Sequence, residues 1–105
     1  MSIAVKPPTV LFPEWYDDRA EYEATARGYL GHVVVRLDDG RRYELEFWDR
    51  VRLGQDLETM LVESGDTVFA EPNMIVLPEI TTDAVKEAVQ KLWSTGYFQQ
   101  LSPID

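Results

Sequence analysis

The sequence predicts an α+β fold in which a small antiparallel sheet of about four strands carries two helices on one face and is preceded by an N-terminal arm. Two β-rich runs flank an Asp-Gly pair in residues 29–48, which indicates a hairpin. Two later stretches have the apolar spacing of a helix, and a glycine follows each of them. The chain of 105 residues has the length of one domain, so we expect residues 30–96 to form one core in the order hairpin, helix, hairpin, helix.

Residues 1–29 are predicted to form the N-terminal arm, with a short helix near its end. Three prolines among the first 13 residues favour an extended start. The stretch "DDRAEYEATARG" then combines helix-forming residues with an Asp pair that can cap a helix and a glycine, Gly28, that can end one. The alternation of apolar and polar residues from Tyr22 to Ala26 also fits a strand, but we favour the helix.

The hairpin "YLGHVVVRLDDGRRYELEFW" has a register that its loop and its apolar alternation define. A three-residue loop, "DDG", sets Val35 opposite Tyr43 and Gly31 opposite Phe47, whereas a two-residue loop would bury glutamates. We therefore expect the longer loop. The inner face then comprises Val33, Val35, Leu37, Tyr43, Leu45 and Phe47. The outer face comprises His32, Val34, Arg36, Arg42, Glu44 and Glu46, and Trp48 points the same way.

The next helix is predicted to start after Asp49, whose side chain can cap it, and to stop at Gly65. It has an apolar stripe that should pack on the sheet. That stripe comprises Leu53, Leu57, Met60, Leu61 and Ser64. Gly54 lies inside this helix at a cost of about 1 kcal/mol relative to alanine, so we expect a close backbone contact there.

The remaining residues are predicted to hold a second hairpin and a second helix. The stretch "TVFAEPNMIVLP" fits either a hairpin or a strand broken at its proline. The helix between the cap Thr81 and the stop Gly96 has the clearest apolar stripe in the chain. The stripe comprises Val85, Ala88, Val89, Leu92 and Trp93. The tail, residues 97–105, should dock on the core through Phe98 and Leu101.

Charge and composition narrow the classes of partner. The net charge is −9, and residues 53–105 hold nine acidic side chains against two basic ones. A surface of this sign repels phosphate backbones, so nucleic acid is a poor partner. The chain has no cysteine for disulfides or thiolate metal sites, and no apolar run reaches the length of a membrane span. We expect a cytoplasmic protein without a cofactor or a membrane partner.

The outer face of the hairpin carries residues that can do chemistry. The register sets His32 opposite Glu46, and Glu44 shares that face. A histidine beside a carboxylate can act as a general base, and two glutamates can divide an acid and a base role. The same residues are also ordinary on a polar strand face, and neither a nucleophile nor a metal-binding motif accompanies them. Catalysis and a metal site are therefore not favoured.

Arginines form the second candidate site. Four of them flank the second hairpin strand, namely Arg41, Arg42, Arg50 and Arg52. The last two fall in the first turn of a predicted helix, where backbone N–H groups point outward. The pattern fits either a solvated corner paired with neighbouring acids or a site that holds an anion.

Aromatic side chains form the third candidate site, because Trp15, Tyr16 and Trp48 fit neither the helix stripes nor the inner face of the hairpin. We expect residues 8–16 to fold over Trp48 and cover it with Phe12 or Trp15. If the rings are exposed instead, they mark a partner interface, because aromatic rings surrounded by charge are typical of such patches.

These observations favour a non-enzymatic protein that binds a basic protein partner through an acidic and aromatic surface, as an inhibitor, an immunity protein or an adaptor would. The residues predicted to make this contact are Trp15, Tyr16, Trp48, Glu58 and Glu63. The alternative is a small-molecule or anion-binding module that uses the arginines. An enzyme built on His32 and the two glutamates is the least favoured reading, and a homodimer is compatible with the first two.

Overall fold

Within residues 6–104, the part of the chain that the computed structural model describes, four strands form one sheet and three α-helices accompany it. The elements are β1 (Thr9–Leu11), α1 (Asp18–Arg27), β2 (Tyr29–Arg36), β3 (Arg42–Trp48), α2 (Arg50–Ser64), β4 (Met74–Val76), α3 (Thr82–Ser94) and a 3₁₀ helix (Tyr97–Gln100). The strand order is β1-β2-β3-β4. The predicted α+β class is confirmed, although β4 runs parallel to β3 and the sheet is mixed rather than wholly antiparallel.

The hairpin of β2 and β3 has the predicted three-residue loop. Val35 pairs with Tyr43, and the N–H of Leu37 donates to the carbonyl of Arg41 at 2.8 Å across the loop. The prediction is wrong at the other end of β2, where Leu30 rather than Gly31 pairs with Phe47. A β-bulge shifts the register there by one residue, and His32 takes a positive φ of 60° that few residues other than glycine adopt.

Helices α1 and α3 cover the inner face of the sheet. The buried core combines the inner face of the hairpin with residues from both helices. Asp17 caps α1 by accepting the N–H of Ala20 at 2.8 Å, and Gly28 ends it with a φ of 73°. The predicted helix in the arm is therefore confirmed over the strand alternative. Two helices cover one face, as the sequence predicts, but α1 takes the place expected for α2.

Side chains of α1 hold the beginning of α3. The N–H of Thr82 donates to Glu21 at 2.7 Å, and the hydroxyls of Tyr16 and Thr82 lie 2.8 Å apart in a hydrogen bond. The hydroxyl of Thr25 donates to the carbonyl of Ile80 just before the helix. The bond from the Thr82 N–H stabilises the carboxylate, so the pKa of Glu21 lies below its ordinary value.

Helix α2 lies on the other side of the sheet, so its predicted packing beside α3 is wrong. Its base contacts Trp48, and Trp48 points away from the core because its neighbour Phe47 points into it. Four strands at a spacing of about 4.8 Å make a sheet about 19 Å wide. Two helices of about 10 Å diameter fill that width. Since α1 and α3 occupy the inner face, no room remains there for α2.

The segment before β4 differs from the predicted second hairpin. Residues 66–73 contain no strand, and β4 is three residues long. The fourth strand comes instead from the N-terminal arm, where β1 pairs with β2. In the tail, Phe98 is buried and Leu101 packs against the core, which confirms that part of the predicted docking. Within residues 6–104, no helix is both long enough and apolar enough to cross a membrane.

Candidate functional site

The base of helix α2 is fixed to the outer face of the sheet by polar contacts. Asp49 caps the helix by accepting the N–H of Arg52 at 2.8 Å. One turn later, Asp56 accepts a bond from the indole N–H of Trp48 at 3.1 Å and another from Nε of Arg52 at 3.0 Å. One carboxylate thus joins the last residue of β3 to the second turn of α2.

Aromatic rings from two other parts of the chain pack against Trp48, which is 5% exposed. Tyr29 lies edge-on to it at a centroid distance of 5.0 Å, and Phe69, from the segment after α2, does so at 5.5 Å. The prediction that Phe12 or Trp15 covers Trp48 is therefore wrong. Phe12 stacks on Tyr16 at 4.6 Å, and both rings pack against the core instead.

Tyr29 links the outer face of the sheet to α2. Its hydroxyl donates to Oε1 of Glu46 at 2.6 Å, and the guanidinium of Arg52 lies 5.9 Å from the centre of its ring. Burial and the bond to Glu46 both raise the pKa of Tyr29 well above its usual range, so the phenol stays protonated. Tyr29 serves as a donor that holds Glu46 against the sheet.

The general-base pair of His32 and Glu46, which the sequence allows but does not favour, is not formed. In the bulge, Gly31 and His32 together lie opposite Glu46, and the Glu46 carboxylate accepts its hydrogen bond from Tyr29. Nδ1 of His32 lies 3.7 Å from Glu44, and the histidine side chain is 73% exposed. Among residues 6–104, no three His, Cys, Asp or Glu side chains converge in a way that could hold a metal ion.

The four predicted anion-binding arginines lie at two ends of one strand. Arg41 and Arg42 lie where β3 begins, and Arg50 and Arg52 lie just after it ends. A strand of seven residues separates the two pairs by about 20 Å. Arg41 pairs with Asp39 at 2.7 Å, and its backbone N–H holds the pKa of Asp39 below the usual range. The predicted corner of four arginines is therefore wrong.

The aromatic residues of the N-terminal segment divide into packed and exposed rings. Tyr16 packs against the core, and burial raises its pKa. Trp15 is 54% exposed and Tyr22 is 75% exposed, beside α1 and on it respectively. Since α1 and α2 lie on opposite sides of the sheet, these rings and α2 do not belong to one continuous surface.

Helix α2, whose apolar stripe was predicted to pack on the sheet, is exposed along much of its surface. None of its 15 residues is buried. The half-buried positions recur at helical spacing on the side toward the sheet, namely Arg52, Leu53, Asp56, Leu57 and Met60. We call the exposed positions between Val51 and Glu63 the outward face of α2; they are Val51, Gly54, Gln55, Glu58, Thr59, Leu61, Val62 and Glu63.

The outward face of α2 combines exposed apolar side chains with carboxylates. Val62 is 79% exposed, and Leu61 is 51% exposed. Glu58 and Glu63, both predicted to contact a partner, lie beside them. A signal for this arrangement was present in the sequence, because Arg52 and Asp56 fall on the same side of the helix as the predicted apolar stripe.

Comparison of the chain with protein-family models, with curated proteins and with solved structures finds no match. The function must therefore be inferred from the surfaces of the molecule itself. Of the five residues predicted to contact a partner, the structure leaves Trp15, Glu58 and Glu63 exposed and packs the other two against their neighbours.

Proposed function

We propose that this protein is a non-enzymatic binding protein whose outward face of α2 docks a cationic protein partner, as an inhibitor, an immunity protein or an adaptor would. One observation supports the proposal above all. Helix α2 has 15 residues and none of them is buried, and the apolar side chains of Leu61 and Val62 are exposed on it. Single exposed apolar side chains are ordinary on soluble proteins, but adjacent ones on a helix with little intrachain packing suit a partner.

A further exposed apolar side chain follows α2 along the chain. Gly65 ends the helix with a φ of 75°, and Val68, three residues later, is 74% exposed. Phe69 next to it turns inward onto Trp48. The contact between Phe69 and Trp48 holds the segment after α2 near the sheet, and Val68 remains exposed beside it.

The charge of this region selects the class of partner. Residues 53–85 contain no lysine, arginine or histidine. They contain seven carboxylates, at Asp56, Glu58, Glu63, Asp66, Glu71, Glu79 and Asp83. Electrostatic complementarity steers association and excludes partners of the same sign. A partner with lysine or arginine around an apolar centre therefore fits this surface, and an acidic one does not.

An unbiased selection tests the proposal. A displayed library of random peptides of about 16 residues is selected against the whole protein. We expect the binders to be enriched in lysine, arginine and aliphatic residues. They should lose at least about tenfold in affinity for the variant Glu58→Lys/Glu63→Lys, because truncated or reversed interface charges commonly cost more than 1.4 kcal/mol.

The matched control is Glu79→Lys/Glu87→Lys, which changes the net charge by the same amount at exposed positions away from α2. We expect its affinity for the selected peptides to fall less than about threefold. Equal losses in the two variants would mean that the peptides respond to net charge alone. That result, or a selection that yields acidic peptides, would contradict the proposal.

A further inference from the structure

Gly54 is the one residue of the outward face of α2 that has no side chain, and nothing in the described part of the chain uses that gap. A Cβ added at Gly54 would meet no atom within 4 Å outside the neighbouring backbone. Its φ is not positive, so the helix would accept alanine without strain. Glycine within a helix is less favourable than alanine. The close backbone contact that the sequence predicts at Gly54 is therefore not made within residues 6–104.

The neighbours of Gly54 on the outward face are spaced like the contact positions of a paired helix. Val51, Gln55, Glu58 and Val62 follow one another at intervals of four, three and four residues. This spacing is that of the seam along which one helix packs against another. With Gly54 beside the seam, a second helix can approach the backbone of α2 more closely than a side chain would allow.

We infer that the partner presents an amphipathic, cationic helix that lies along the outward face of α2 and approaches its backbone most closely at Gly54. The inference rests on the proposed function and specifies the form of the bound element. The apolar side of that helix packs between Val51 and Val62, and its lysine or arginine side chains lie over Glu58 and Glu63. A second copy of the chain is a poorer occupant, because it would bring the same carboxylates toward each other.

The test uses one designed peptide and its scrambled form. The peptide has about 16 residues, with leucine at heptad positions a and d and lysine at the flanking positions. The scrambled form has the same composition without the heptad spacing. Affinities of both peptides for the whole protein are measured by fluorescence anisotropy. We expect the amphipathic peptide to bind and the scrambled one to bind at least about tenfold more weakly, because only the first forms an apolar stripe.

The variant Gly54→Ala should change the stability of the free protein and its affinity for the peptide in opposite directions. In the free protein the variant should raise the unfolding temperature by about 4–8 °C, because alanine favours the helix and meets no clash. The variant should also lower the affinity for the amphipathic peptide at least about fivefold, because the added methyl group occupies the place of the partner helix. The larger side chain in Gly54→Leu should lower this affinity further.

Several results would overturn this inference. One is a Gly54→Ala variant that binds the peptide as tightly as the parent; others are a scrambled peptide that binds equally well, or no binding up to about 1 mM. A free protein that sedimentation finds to be a dimer, with Gly54→Leu a monomer, would assign the face to a second copy. The proposed function is tested separately. It fails if the selected peptides lose no more affinity for Glu58→Lys/Glu63→Lys than for the control variant.

Discussion

Helices α2 and α3 begin with the same kind of side-chain cap, yet only α3 is part of the core. Asp49 caps α2 through the N–H of Arg52 at 2.8 Å, and Thr81 caps α3 through the N–H of Ala84 at 3.0 Å. Helix α3 buries Val85 and Val89, whereas α2 buries no residue. Caps and apolar spacing therefore decide where a helix forms, while the free width of the sheet decides whether it docks.

A matched pair of valines should show the largest difference between the two helices. Val89→Ala in α3 removes two methyl groups from a fully packed site, and we expect a loss of about 2–3 kcal/mol in the free energy of unfolding. Val62→Ala in α2 removes the same atoms from an exposed site, so the change should stay within about 0.5 kcal/mol. Urea denaturation followed by circular dichroism measures both. Similar losses in the two variants would mean that α2 is as much a part of the core as α3.

Removal of the contact that fixes the base of α2 should lower the free energy of unfolding by a smaller amount. Asp56→Ala removes the acceptor of both Trp48 and Arg52, and we expect a loss of about 1–2 kcal/mol. Because the indole loses its partner, the fluorescence of Trp48 should also change. Glu58→Ala, in the same helix but on its exposed side, is the control and should change neither the stability nor the emission. If Asp56→Ala leaves both unchanged, the polar contact does not orient α2.

Acid should weaken the joint between α1 and α3. The pKa of Glu21 lies below its ordinary value of 4.5 because the N–H of Thr82 stabilises the carboxylate. A lowered pKa in the folded state contributes stability above the unfolded value, and this contribution is lost as the pH falls through the folded value. We expect Glu21→Gln to be less stable than the parent at pH 7.

The same reasoning predicts how the gap between Glu21→Gln and the parent changes with pH. It should narrow as the pH falls below about 4.5, because the parent then loses the charge that the variant lacks. Glu87→Gln, on the exposed side of α3, is the control. Thermal unfolding across this pH range provides the measurement. A constant gap would mean that Glu21 acts through shape and not through charge.

Much of the fold follows from local signals in the sequence. The Asp-Gly loop, the caps Asp17, Asp49 and Thr81, and the glycine stops Gly28 and Gly65 each act within a few residues, and the structure confirms them. The stop predicted at Gly96 is wrong by one residue, because α3 ends at Ser94 with Thr95 as its C-cap. The bulge at His32 was not predicted, although Gly31 inside β2 is the kind of residue that often marks a bulge.

The position of α2 and the arginine corner depended on longer-range geometry. The stripe of α2 resembles that of α3, but α1 already fills the inner face beside α3, and Asp56 bonds to Trp48 on the other side. The arginines are close in sequence but are separated in space, because an extended strand between them carries the chain about 20 Å. The apolar stripes of α2 and α3 do not reveal which helix is buried, so the candidate surface on α2 could not be predicted from the sequence.

Hydrogen–deuterium exchange with and without the amphipathic leucine–lysine peptide shows whether α2 is the binding helix, because it locates the bound surface on the whole protein. In the free protein, amides of residues 58–64 should exchange faster than those of residues 85–92, since the former belong to the exposed half of α2 and the latter to α3. Addition of the peptide should slow exchange in residues 58–64 and leave residues 85–92 unchanged. Equal protection of the two helices in the free protein, or protection by the peptide on α1 instead of α2, would contradict the claim that α2 is the binding helix.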